Sequence, residues 1–451
     1  MKWKNSIIKA VYLLLLSGLT SALLNGCTAA KGPLDANNPV TLTMWHVFGS
    51  QTNSPMNDMA DEFNRTIGKD NGVIINVTSV TNSSDIHDAL TAAADAVAGA
   101  GSMPDLFFCY PETAKAIGMD RIVAWDDLFT ESELALYVPS FLEEGMVDGK
   151  LLVFPVAKSS EALFVNATVF DRFAADTGVT YDSMATWEGL FYAAEKYYGW
   201  SGGQSFLKFD SMVNYYQINT KASGGQAFKD GKLDFNDHIF KARWETIAKG
   251  VISGHFYIGE DYATACMMTG EIAAAICSTA SILYFQDTVT YRDNTTEPLV
   301  LKPLPYPVAR DGMKLVIQQG VGLAASVKGD AKKEAAALLF AKWITEGEVN
   351  LRFVTMTGYM PVQRPAFEAV DNYDFKSGAY RDLYVTMDVM RSEYQFFITP
   401  LIGGYNGIVR RLNENTFDIL TDCKARYKAG ENSLDALTAE SYEAIRQVME
   451  R

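Results

Sequence analysis

From Val40 to Phe108, strand-like and helix-like segments alternate one for one, and this alternation limits the folds open to the chain more than any other feature. Val40-Thr-Leu-Thr-Met-Trp45 is rich in β-branched and apolar residues and reads as a strand. Ser54-Pro55 has the form of an N-cap followed by proline at the first helical position. Met56, Met59, Phe63 and Ile67 then fall on one helical face, with Gly68 as the expected terminator. Val73 to Val80 reads as a second strand. Ser84 is placed to cap an alanine-rich helix through Ala98, and Asp105-Leu-Phe-Phe108 reads as a third, buried strand. Strands separated by single helices form parallel β-α-β units, so the class is α/β.

The rest of the chain keeps this style. Asp148-Gly149 and Asp230-Gly231 sit between strand-like runs and predict hairpins. Leu151 to Phe154 is a strand that Pro155 ends. Thr186-Trp187-Glu188 opens an amphipathic helix that closes near Gly199. Asp330 caps a helix expected to bury Ala336, Leu339, Phe340 and Trp343. A last helix after Ser433 is expected to bury Leu434, Leu437, Ile445 and Val448.

The N-terminus follows a different logic. Lys2, Lys4 and Lys9 precede an apolar run from Ala10 to Leu24, and Asn25-Gly26-Cys27 follows. A charged start, a short apolar core and a small residue at the cut describe an export signal, 1–26. The apolar run falls short of the ~20 residues that span a bilayer. Leu24-Asn-Gly-Cys27 resembles the lipobox of bacterial lipoproteins, which implies that Cys27 is the lipid attachment site. Residues 27–39, small, polar and broken by Pro33 and Pro39, then form a flexible tether.

Cutting before Cys27 takes the formal charge from −15 to −18. So acidic a body does not neutralise phosphates, which excludes nucleic acid as a partner, and it does not lie flat on anionic lipid. Membrane contact therefore rests on the anchor alone. Beyond Cys27 the cysteines are Cys109, Cys266, Cys277 and Cys423, with no CxxC. Buried free thiols are the expectation, and the sequence leaves a Cys266–Cys277 disulfide open.

Catalytic motifs are sparse. HExxH, GxSxG and P-loop patterns do not occur, and His46, His87, His238 and His255 are scattered. No catalytic residue, metal site or cofactor is expected. Gly320-Val-Gly-Leu-Ala-Ala325 matches a loose dinucleotide pattern. It lies in an extended segment, Leu315 to Val327, where a nucleotide site would need a helix to open. Carboxylate pairs of glycosidase type are always available among fifty-four acidic residues and so carry no information. Aromatic residues in polar, glycine-punctuated turns carry more. Trp45 and Phe48 flank His46, Tyr110 follows the third strand, Tyr215 and Tyr216 follow a Ser-Gly-Gly-Gln stretch, and Tyr359 stands in Thr357-Gly-Tyr-Met-Pro361. Flat rings offer apolar faces to the C–H faces of a sugar, and nearby Asp, Asn, Gln and Ser satisfy hydroxyls.

An ordered set of segments carries a family resemblance. It comprises Thr41-Leu-Thr-Met-Trp45, Met103-Pro-Asp-Leu106, Val153-Phe-Pro155 running on to Ala162-Leu-Phe-Val-Asn166, and Thr186-Trp-Glu188. Met268-Thr-Gly-Glu-Ile-Ala-Ala274, the Ala/Trp-rich helix 331–346 and Thr357-Gly-Tyr-Met-Pro361 complete it. The chain resembles the extracellular solute-binding proteins, family 1, of carbohydrate ABC transporters. The resemblance implies a two-lobed periplasmic-binding-protein-like fold of type II, with a hinge crossed more than once and a ligand cleft between lobes. The lobes would be 40–156 plus 317–378 and 157–316 plus 379–451. It also implies a non-enzymatic, monomeric protein, lipid-anchored on the extracellular face of a Gram-positive cell. Such a protein delivers a carbohydrate, by default an oligosaccharide, to the transmembrane subunits of an ABC permease.

Carried onto this sequence, the implied ligand-binding residues are Trp45, His46, Phe48, Ser159, Ser160, Glu161, Ser278, Gln319, Gly320 and Tyr359. For each polar member a cap or turn role is the competing reading. The glycerol 3-phosphate binders form a close branch and share Thr-Gly-Tyr-x-Pro. There an arginine from the late segment meets the phosphate, whereas Phe396 to Asn406 has no basic residue before Arg410. A phosphate would lack its bidentate partner, although Lys158 or Lys208 could substitute. A polyol phosphate binder is thus the alternative, and a surface glycoside hydrolase comes third.

Overall fold

The computed structural model describes residues 32–48, 54–80, 83–375 and 377–451. The signal segment, Cys27 and the start of the tether lie outside the described residues. The chain opens with β1 (Val40–His46), α1 (Pro55–Arg65), β2 (Val73–Ser79), α2 (Ser83–Ala94), β3 (Leu106–Cys109) and α3 (Pro111–Ile117). It continues through β4 (Glu161–Asn166), α4 (Trp187–Trp200), β5 (Leu207–Phe209), α5 (Met212–Ala222), α6 (His238–Ser253), β6 (Ala274–Ser278), β7 (Leu301–Leu304), β8 (Leu315–Ile317) and β9 (Gly322–Ala325). Helices α7 (Ala331–Thr345), α8 (Gly347–Thr357) and α9 (Gly378–Glu393) follow, then β10 (Gln395–Phe397), α10 (Tyr405–Lys428) and α11 (Leu434–Met449).

Two four-stranded sheets organise these elements. The first has the order β9-β3-β1-β2. β1 runs parallel to β2 and β3, and β9 returns antiparallel to β3, with Gly322 opposite Cys109. The second has the order β7-β4-β6-β5, with β4 antiparallel to both β6 and β7 and β6 parallel to β5. The chain passes between the sheets twice side by side. Phe154 pairs with Leu323 and Ser159 with Gln319, both antiparallel. A short parallel pair, β8 with β10, lies beside them. This is an α/β fold of two lobes with a hinge crossed more than once.

Local chemistry follows the sequence closely at the caps. Ser54, Thr186, Asp330 and Ser433 each accept a hydrogen bond from their own helix's first turn. Both Asp-Gly pairs form tight hairpins with two successive positive φ values, 47° and 84° at Asp148-Gly149 and 50° and 76° at Asp230-Gly231. Two helix ends differ from expectation. α1 stops at Arg65, and a short helix, Ile67–Asn71, ends at Gly72 in the left-handed region. Gly68 is packed instead: a Cβ there would lie 2.6 Å from the Val73 carbonyl oxygen, while Ile67 is exposed. α2 stops at Ala94, four residues early, and Ala96 takes a φ of 52°.

Leu339, Leu434 and Val448, expected in the core, are only partly buried, whereas Ala336, Phe340, Trp343, Leu437 and Ile445 are buried. Cys109, Cys266, Cys277 and Cys423 are free and buried. Among the described residues no helix is long and apolar enough to cross a membrane, and no group of three or more His, Cys, Asp or Glu is arranged to hold a metal ion.

Candidate functional site

The carboxyl ends of β1 and β3 share one edge of the first sheet, and the carboxyl ends of β5 and β6 share one edge of the second with the amino end of β4. Strand ends are where an α/β fold leaves backbone and side chains free to meet a ligand.

At the end of β1, Trp45 is half-buried against the core of the first sheet. His46 is fully buried and works inside the protein. Its Nδ1 accepts from the Phe48 N–H at 3.2 Å, which leaves Nε2 to donate to Asn57 Oδ1 at 2.7 Å. Burial holds its pKa below the usual imidazole value. Phe48 is in the core, edge-on to Phe108, Phe353 and Tyr359.

The hinge strands carry the next group. Ser159 and Gln319 exchange backbone hydrogen bonds of 2.8 and 2.9 Å. Ser160 donates through Oγ to the Ile317 carbonyl at 2.7 Å, and its N–H donates to Thr279 Oγ1 at 3.3 Å. Gly320 has a φ of 106°, and a Cβ there would stand 2.8 Å from the Ala157 carbonyl oxygen, so glycine is required twice over. Lys158 is buried with Glu144, 3.1 Å away, and donates to the Gly320 carbonyl at 2.8 Å. Glu144 also accepts from the Gln318 side chain.

Glu161 begins β4 with its side chain buried. Oε1 accepts from Asn214 Nδ2 at 2.7 Å, while Oε2 has no protein partner. Burial pushes its pKa up to about 8, opposed by the Asn214 hydrogen bond and reinforced by Asp210. Asp210, just past β5, is itself pushed up by burial and accepts from the Ala263 N–H at 2.8 Å. Ser278 ends β6 half-buried, its Oγ accepting from the Ala280 N–H as a local cap.

Three half-buried tyrosines lie near one another. Tyr110, at the end of β3, is pushed up to about 12 by burial and by the Glu144 charge. Tyr405, at the start of α10, accepts from Gln217 Nε2 at 2.8 Å and is likewise pushed up to about 12 by burial. Tyr359 is raised by burial and by Tyr110 beside it, and its carbonyl accepts from the Tyr384 hydroxyl at 2.6 Å. Gly358 sets Tyr359 in place: it ends α8 in the left-handed region, where a Cβ would stand 2.5 Å from the Thr279 carbonyl oxygen.

Tyr405, Gln217, Asn214 and Asp210 were not among the residues chosen from sequence. The one signal for them was an aromatic residue directly after Gly403-Gly404. Tyr215 and Tyr216 are both buried in the second lobe, packed on Trp187 and Trp244. A cavity of about 610 Å³ opens beside Asp210, with Met212, Tyr262, Asn413 and Phe417 on its walls.

These observations define a two-lobed, type II binding-protein fold. The profile of bacterial extracellular solute-binding proteins matches residues 58–376, and the chain belongs to that family. A search of curated proteins finds no match. Among solved structures, the chain is similar to the cyclic α-maltosyl-1,6-maltose binding protein of Arthrobacter globiformis. The identity is 18%, the TM-score 0.65, and the match covers 92% of this chain and 100% of that one. An ABC substrate-binding protein of Listeria monocytogenes in complex with cycloalternan matches at 15% identity and TM-score 0.67, covering 92% and 100%. UgpB of Mycobacterium tuberculosis in complex with glycerophosphocholine matches at 16% and 0.67, covering 92% and 99%. At these identities the likeness is one of fold.

Proposed function

We propose that this chain is a lipid-anchored extracellular receptor that captures a carbohydrate, specifically an oligosaccharide, and delivers it unaltered to the transmembrane subunits of an ABC importer. In this reading the lobes are 40–156 plus 317–378 and 157–316 plus 379–451, and they close on the ligand by a hinge motion. The observation that carries it is the nearness of Tyr110, from the end of β3, to Tyr359, from the end of α8, and to Tyr405, from the start of α10. Rings supply faces for sugar C–H groups, and the polar side chains supply hydrogen-bond partners. The binding of cyclic oligosaccharides by two proteins of the same fold supports the ligand class.

A polyol phosphate is the second reading, favoured by the glycerophosphocholine bound to a third protein of this fold. Against it, the basic groups near the cleft are engaged. Lys158 is paired with Glu144, Lys208 donates to the Gly259 carbonyl at 2.9 Å, and Arg410 is paired with Asp88.

Thermal unfolding across a panel of mono- and oligosaccharides tests the receptor reading. A bound sugar at a hundred times its Kd adds about 2.7 kcal/mol of stability, and it is recovered unchanged after incubation. No shift from any sugar, or release of reducing ends, would defeat it. Cys27→Ala is expected to abolish membrane retention and leave sugar binding intact, since stable anchoring takes two acyl chains and a diacylglyceryl cysteine supplies them.

A further inference from the structure

A groove at the far edge of the second sheet plays no part in the cleft. Two adjoining cavities of about 240 and 450 Å³ share Gln204, Gly270 and Tyr291, and their walls come from residues 166–293 alone. Asn166 ends β4, and Ile272 stands just before β6. The antiparallel register of these strands sets Val165 opposite Ala274 at this edge and Glu161 opposite Ser278 at the other. At about 3.3 Å per residue the two edges are roughly 16 Å apart. Trp200, Tyr257 and Tyr291 line the groove as half-buried rings, and each is fixed in place. Trp200 donates through Nε1 to Asp176 Oδ2 at 2.8 Å. The Tyr291 hydroxyl donates to Glu297, and its ring lies against Gly270, where a Cβ would stand 2.3 Å from Cε1 at a φ of 73°. Lys208 Nζ stands 5.4 Å from the centre of the Tyr257 ring. The charges of the lining are engaged within the protein. Arg172 holds Glu297 through two bonds of 2.8 and 3.1 Å, and Arg292 bonds Glu271 at 2.6 Å. Asp293 accepts from the N–H and the hydroxyl of Thr295 at 3.0 and 2.6 Å. The exposed Gln204 side chain, which borders both cavities, has no hydrogen-bond partner among the described residues.

Fixed rings offer flat apolar faces to sugar C–H groups, and a free amide offers a donor and an acceptor to hydroxyls. An ionic ligand finds no unpaired charge to meet. We propose that this groove is a second carbohydrate site, which takes the flank of a neutral glycan chain. The inference does not rest on the reading of the cleft. Because every wall comes from one stretch of the chain, closure of the lobes does not enclose the ligand. The ends of the glycan stay free, and its length is not limited.

The test is electrophoresis of the native protein through gels containing soluble starch, arabinoxylan or mixed-linkage β-glucan, with carboxymethylcellulose as the anionic counterpart. The wild type is expected to be retarded by at least one neutral glycan, and Tyr405→Ala to be retarded as strongly. Tyr291→Ala and Gln204→Ala are expected to bind that glycan about tenfold more weakly. Gln204 is exposed, so its variant carries the test if Tyr291→Ala fails to fold. Hydroxyl-radical footprinting with the same glycan should show protection of Tyr257 and Tyr291. Retardation by none of the neutral glycans, or by carboxymethylcellulose alone, overturns the proposal, as does unchanged retardation of both groove variants. Retardation that Tyr405→Ala abolishes and the groove variants keep leaves the receptor reading standing and ends this one.

Discussion

Replacing Glu161 with glutamine should make the protein more stable at neutral pH and leave it nearly unchanged at pH 5. The carboxyl is buried, holds one hydrogen bond from Asn214 at 2.7 Å, and has a second oxygen without a protein partner. Burial raises its pKa from 4.5 to about 8. Between those values the folded protein keeps a proton on Glu161 that the unfolded chain has released. The unfolded state then binds fewer protons, so this group's contribution falls as pH rises through the window. From 4.5 to pH 7 the loss accumulates to about 3 kcal/mol.

Glutamine is a neutral isostere that keeps an acceptor for Asn214 and does not titrate. The variant should therefore match the wild type near pH 5 and exceed it by about 3 kcal/mol at pH 7, or about 4 °C in Tm for a chain of this size. Asp210 remains in both proteins, so its own titration cancels to first order in the difference. The assay is calorimetric or fluorescence-detected melting of both proteins from pH 5 to pH 8. A gap that stays constant with pH, or one that is widest at the acid end, would refute the reasoning.

Three further outcomes are expected. Lys158→Ala strands Glu144 as a buried charge and should cost about 3–5 kcal/mol in denaturant unfolding, with a loss below about 1 kcal/mol counting against the buried pair. Gly320→Ala forces a Cβ to within 2.8 Å of a carbonyl oxygen at a φ of 106°. It should lower stability by about 1–3 kcal/mol, visible as a lower Tm, and a neutral variant would mean that the hinge strands separate easily. Tyr405→Ala should weaken sugar binding by about 1.5 kcal/mol, roughly tenfold in Kd, with little change in the melting of the unliganded protein. Unchanged affinity in a titration would remove that ring from the site.

Much of the fold was legible because its signals are local. Ser54, Thr186, Asp330 and Ser433 cap helices through bonds that span only two or three residues, and the Asp-Gly turns need only their own φ values. Gly68 marks where local reading stops. It and Gly72 are both glycines near a helix end, yet one is small so that the chain can pack under Phe63 and the other is left-handed to end a turn. Only the third dimension separates those roles. The cleft is harder still. Arg410 reads as an ordinary basic residue on a helix face, yet its guanidinium reaches Ser84 and Asp88 on α2. Its partners lie 322 and 326 residues earlier in the chain, beyond the reach of any local pattern. What the sequence does hold is a deficit: α10, the longest helix among the described residues, begins Gly403-Gly404 with no Ser, Thr, Asp or Asn to cap it. Arg410, near its start, bonds to Ser84 and Asp88 far back in the chain, so a helix that lacks its own N-cap is a place to look for long-range contacts.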